Sequence, residues 1–71
     1  MSFDPDDYSV VVKARARMPR PWRWEIYRAG RTSPVAHSEE FFELMTTARL
    51  EGKEALGRFI QARAAPAYGK A

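Results

Sequence analysis

Two stretches of this chain alternate with a period of two, and only Met18-Pro19-Arg20-Pro21 separates them. From Tyr8 to Arg17, Val10, Val12, Ala14 and Ala16 alternate with Ser9, Val11, Lys13, Arg15 and Arg17. From Trp22 to Arg28, Trp22, Trp24 and Ile26 alternate with Arg23, Glu25 and Tyr27. A period of two places successive side chains on opposite faces of a strand, so each stretch predicts a half-buried strand. The two prolines cannot both serve a ladder, which ends the first strand before the second begins. Arg28-Ala29-Gly30-Arg31 predicts the next turn, with Gly30 free to take positive φ. A third strand is predicted over residues 33–42, with Pro34 marking it as an edge or delaying its start.

A helix follows. Ala48, Gly52, Ala55, Leu56 and Phe59 share one helical face, with Ile60 at its margin. Glu54 and Arg58 form an i,i+4 pair on the outer side, and Pro66 stops the helix soon after Arg63. Two starts compete. Thr46 is placed to cap a helix near residues 46–62. Ser38 is placed to cap a longer one from Glu39 to Arg63, with Glu39 and Glu40 set against its dipole. Residues 39–45 are therefore strand, loop or the first turns of the helix. The predicted fold is α+β: a three-stranded antiparallel sheet covered on one face by a single C-terminal helix, in the order β-β-β-α. Residues 8–63 form the domain. Residues 1–7 and 64–71 are expected as flexible tails, the first acidic, with Tyr68 the one large side chain in the second.

Composition narrows the chemistry. With 71 residues and no cysteine, neither a disulfide nor a thiolate metal site can support so small a core. Large aromatics and self-association are the remaining supports. Trp22 and Trp24 are expected to pack with Ile26 against Ala55, Leu56 and Phe59, with Ala48 and Gly52 leaving room for an indole. No signal pattern opens the chain, and its longest aliphatic run, Val10-Val11-Val12, falls far short of the roughly 20 residues of a membrane span. A soluble cytoplasmic protein is the expectation.

No catalytic set, metal cage or cofactor motif is legible. His37 is the only histidine, and a Ser-His-acid set needs a carboxylate that the sequence does not place. Glu39, Glu40 and Glu43 lack the loop spacing of an oxygen cage and read as a solvated acidic edge. The glycines at 30, 52, 57 and 69 are too scattered to cradle a phosphate.

Charge is the one feature above background. Residues 8–37 hold seven bases, from Lys13 to Arg31, against the single acid Glu25, a local charge of +6. If Val10 and Val12 face the helix, then Lys13, Arg15 and Arg17 face water, beside Arg23 and Tyr27 on the neighbouring strand. Those five residues are the candidate nucleic-acid-binding set, the cations for phosphates and Tyr27 for stacking. Glu25 opposes this by pairing with Arg15 or Arg23. The chain thus reads as a non-enzymatic binding or interaction module, with a homodimer joined through its sheet edges and a monomer left open as its two states. The alternative is nucleic-acid binding through the basic face. No membrane partner is expected.

Trp22-Arg23-Trp24-Glu25-Ile26-Tyr27-Arg28-Ala29-Gly30 and His37-Ser38-Glu39-Glu40-Phe41-Phe42, leading to Gly52-Lys53-Glu54-Ala55-Leu56, resemble a type of small uncharacterised bacterial protein. More remotely, they resemble the repeat unit of the YegP-like proteins. Ser38, Glu39 and Phe41 or Phe42 match the Ser-Glu-x-aromatic strand end of that unit, and Gly52 its helix glycine. The resemblance spans roughly residues 8–62, with a few extra residues between the Phe pair and the helix. It implies a β-β-β-α order with the third strand reaching about Phe42, and it implies no activity.

Overall fold

A computed structural model describes residues 4–64. The expected fold is present: a three-stranded antiparallel sheet of order β1-β2-β3, then one C-terminal helix. The strands are β1 (Tyr8–Ala14), β2 (Trp22–Arg28) and β3 (Ala36–His37), and the helix is α1 (Met45–Ala64). Within the acidic N-terminal stretch, Pro5–Asp7 form a 3-10 turn capped by Asp4, whose Oδ1 accepts from the Asp6 N–H at 3.0 Å. Most of the stretch expected as a C-terminal tail, Tyr68 included, lies outside the described residues.

β1 is three residues shorter than its side-chain pattern. The Arg15 N–H still donates to Pro21 O at 2.8 Å, but proline has no N–H to return the bond. The ladder stops there, and Ala16 and Arg17 pass into the connecting loop, where the Met18–Pro19 peptide is cis. At the far end of β2, Gly30 takes φ 84° and closes a turn in which Arg31 N–H donates to Arg28 O at 3.0 Å.

The third strand is much shorter than expected. Glu25 pairs with His37 and Ile26 with Ala36, and pairing resumes only at an isolated Trp22–Phe42 bridge. The two registers differ by two residues, so Ser38, Glu39 and Glu40 contain a bend. Ser38 holds it: its N–H donates to Trp24 O at 3.0 Å and its buried hydroxyl donates to Glu40 O at 2.8 Å. That use of Ser38 also rules out its role as the cap of a long helix. α1 starts at Met45, with the Ala48 N–H donating to Leu44 O at 3.1 Å. Leu44 therefore occupies the cap position, and Thr46 lies within the first turn.

The core lies between α1 and one sheet face. Ile26, Ala48 and Ala55 are buried, Val10, Val12, Trp22 and Trp24 are half-buried, and the Tyr8 and Phe59 rings meet at 5.1 Å. Gly52 sets the helix–sheet distance. A Cβ there would stand 2.7 Å from Trp24 Cβ and 2.8 Å from Val10 Cγ1, so only glycine lets α1 come this close. Glu54 and Arg58, expected as an ion pair, are both exposed and form none.

Candidate functional site

The sheet face turned away from α1 carries Ser9, Val11 and Lys13 of β1 opposite Tyr27, Glu25 and Arg23 of β2. His37 follows Glu25 in the next strand. Lys13, Arg15, Arg23 and Tyr27 of the candidate set are thus on this one face. Arg17 is not on the sheet; it is exposed in the loop beyond β1.

Glu25 is the centre of the face. Its side chain is only 3% exposed, although the face is open, because its neighbours fold over it. Arg15 grips it with two bonds, Nε to Oε2 at 3.0 Å and Nη2 to Oε1 at 3.3 Å. The Tyr27 hydroxyl donates to Oε1 at 2.8 Å. Arg23 Nε lies 3.5 Å from Oε2, an ion-pair distance, but this buried nitrogen makes no hydrogen bond. The Arg23 guanidinium also lies 5.4 Å from the centre of the Phe41 ring, and Lys13 Nζ lies 5.7 Å from that of Tyr27. Phe41 thereby occupies the open face, while Phe42 lines a groove on the helix side with Trp24.

These contacts set the protonation states. Hydrogen bonding from Arg15 holds the Glu25 carboxyl below its ordinary value, with Tyr27 adding to the effect and burial opposing it. The same carboxylate raises the Arg15 guanidinium and the Tyr27 phenol. Glu25 therefore stays ionised, and Arg15 and Arg23 share its one negative charge. His37 Nδ1 lies 3.0 Å from Ser38 O, a contact with the backbone alone. Among the described residues, no three His, Cys, Asp or Glu side chains are grouped to hold a metal ion, and no helix is long and apolar enough to cross a membrane.

An open groove of about 430 Å³ runs along the face between Ser9, Val11, Lys13 and Tyr27, with Asp7 and Arg31 at one end. Beside it lies the outer edge of β1. The Ala29 N–H donates to Asp7 O at 2.7 Å, and the Arg15 N–H donates to Pro21 O at 2.8 Å. Both bonds fall on odd-numbered residues of the β1 side. In an antiparallel pair, alternate residues turn their backbone groups toward the partner, so Ser9, Val11 and Lys13 bond to β2. β2 agrees, since its even residues serve the other side: Trp22 exchanges bonds with Phe42, and the oxygens of Trp24 and Ile26 accept from Ser38 and Val35. Val10, Val12 and Ala14 consequently point their N–H and C=O groups outward, where no described strand lies.

The two sheet edges are unequal. At β3, Pro34 has no N–H to offer and the bend at Ser38 interrupts the strand. β1 offers seven residues without a bulge. Pairing at the sheet edges was expected, but side-chain periodicity did not show which residues of β1 turn their backbone outward, because it reports which face a residue occupies, not which neighbour its backbone serves. The Tyr27–Glu25 bond had a signal, since an i,i+2 pair on a strand shares a face. No family model, curated protein or solved structure matches the chain.

Proposed function

We propose that this chain is a non-enzymatic interaction module that takes up a further strand at the free edge of β1. The observation that carries this is the set of outward backbone groups on Val10, Val12 and Ala14. Strand addition satisfies such groups through main-chain hydrogen bonds, and side-chain pockets on either face add selectivity. Here the groove beside Val11 and Lys13 would receive side chains on one face. The test is selection of displayed random octapeptides on the immobilised protein, followed by NMR mapping of the winners. Binders should shift the amides of Val10, Val12 and Ala14 and lose affinity for the Val12→Pro variant. Binders that map to α1, or that bind Val12→Pro unchanged, would sink the proposal.

Nucleic acid is the second partner class, favoured by the placement of Lys13, Arg15, Arg23 and Tyr27 on one face. Against it stands Glu25, which occupies two of the cations and the Tyr27 hydroxyl. The free edge has no such internal competitor among the described residues.

A further inference from the structure

Resting on that reading of the β1 edge, we infer that the strand it takes up is β1 of a second copy, run antiparallel about a twofold axis through Val12. The free set of Val10, Val12 and Ala14 is symmetric about its middle member. In this register Val12 pairs with Val12 of the second copy and Val10 with Ala14, so every outward N–H and C=O in the set finds a partner. On the open face Lys13 lands opposite Val11 of the second copy, and Arg15 opposite Ser9. No cation is set directly opposite a cation on that face. Neighbouring registers fit worse. An axis through Val11 sets Ala14 against Tyr8, whose N–H already bonds Pro5 O. An axis through Lys13 sets the two lysines directly opposite each other, which is destabilising.

The helices fit the same arrangement. α1 packs on both β1 and β2, so its axis lies inside the edge by about half the strand spacing. With strands about 4.8 Å apart, the two α1 axes would lie about 10 Å apart at their closest, within the range of packed helices. Glu51 and Arg58 line the groove beside Ser38 and Phe42. At 100° per residue, half-buried Leu56 and Ile60 project from the opposite flank, above the β1 edge, together with exposed Arg49 and Lys53. That flank is where a second helix would stand. The product is a six-stranded sheet with two helices on one face and Lys13, Arg15 and Arg23 of both copies on the other.

The register is open to a direct test, because the native chain has no cysteine. A hydrogen-bonded antiparallel pair places its Cα atoms about 5.5 Å apart, inside the disulfide range. Val12→Cys should therefore cross-link to a dimer under mild oxidation, whereas Val11→Cys and Lys13→Cys should remain monomeric. Sedimentation equilibrium of the unmodified chain between about 10 μM and about 1 mM should show the mass doubling. Val12→Pro should stay monomeric with an unchanged far-UV spectrum, and if it unfolds, the cysteine comparison decides alone. A monomer throughout would overturn self-pairing, as would preferential cross-linking through Val11→Cys or Lys13→Cys. If the chain is monomeric yet octapeptides still map to Val10, Val12 and Ala14, self-pairing fails and strand addition stands. If the peptides map elsewhere, both fail.

Discussion

Gly52 and Gly57 lie on the same helix and should respond to alanine with opposite signs. An alanine in a helix interior is favoured over glycine by about 1 kcal/mol. At Gly57 an added Cβ meets nothing within 4 Å, so Gly57→Ala should gain most of that amount. At Gly52 the Cβ would collide with Trp24 Cβ, which is fixed to the β2 backbone and cannot rotate away. Overpacking of this kind costs about 1–3 kcal/mol, so Gly52→Ala should be a net loss. Urea melts of the two variants check both signs. Glu25 gives a pH dependence at the same scale. Its folded-state pKa is depressed below the ordinary 4.5. The stability it contributes is thus complete above that value and is lost as pH falls through the lower, folded-state value. Glu25→Gln removes a buried ionic acceptor and should cost about 1–3 kcal/mol at pH 7. It should also flatten the fall in stability below pH ~4.5, the ordinary carboxyl value. Urea melts at neutral and acid pH would measure both, and an acid limb unchanged in Glu25→Gln would show that another carboxyl controls it.

At the scale of elements, the outward parity of β1 predicts that neighbouring prolines behave differently. Val12→Pro removes an N–H that points away from the sheet, as edge strands tolerate. Val11→Pro removes an N–H that serves β2 at Glu25 and strands a carbonyl, which should cost about 1–3 kcal/mol more. Thermal melts at low concentration, where the monomer dominates, would rank them; equal losses would mean the parity is wrong. β1, β2 and the helical stripe were legible because each has one clean periodicity. The third strand was not, since its limits are set by a bend that Ser38 stabilises through Trp24 and Glu40, a tertiary arrangement. The end of β1 depended on Pro21, the residue just before the opposite strand. The helix start was undecided because Ser38 and Thr46 both fit a cap position. The basic face was legible as charge, but the burial of Glu25 arises from cross-strand cover by Arg15 and from Tyr27 beside it. Periodicity alone does not show that cover.

For the whole molecule, ionic strength separates the two partner classes, because each responds to it with the opposite sign. Each chain carries a net charge of +3, so two copies repel. Salt shortens the Debye length from about 10 Å at 0.1 M to about 3 Å at 1 M. Self-association through β1 should therefore tighten as salt is added. Binding to DNA should weaken, since each neutralised phosphate contributes about −0.9 to the slope of log affinity against log salt. Lys13, Arg15 and Arg23 less the one charge of Glu25 leave two net charges on that face, for a slope of about −2. Glu25→Gln frees that charge and should steepen the slope by about one unit. It should leave strand pairing in place, because Glu25 makes none of the edge bonds. Sedimentation equilibrium and the anisotropy of a labelled duplex, both followed from about 50 mM to about 500 mM salt, give the two trends. A dimer that dissociates as salt rises would place the contact between charged groups, not on the backbone of β1. A duplex affinity indifferent to salt, or to Glu25→Gln, would remove the basic face from consideration.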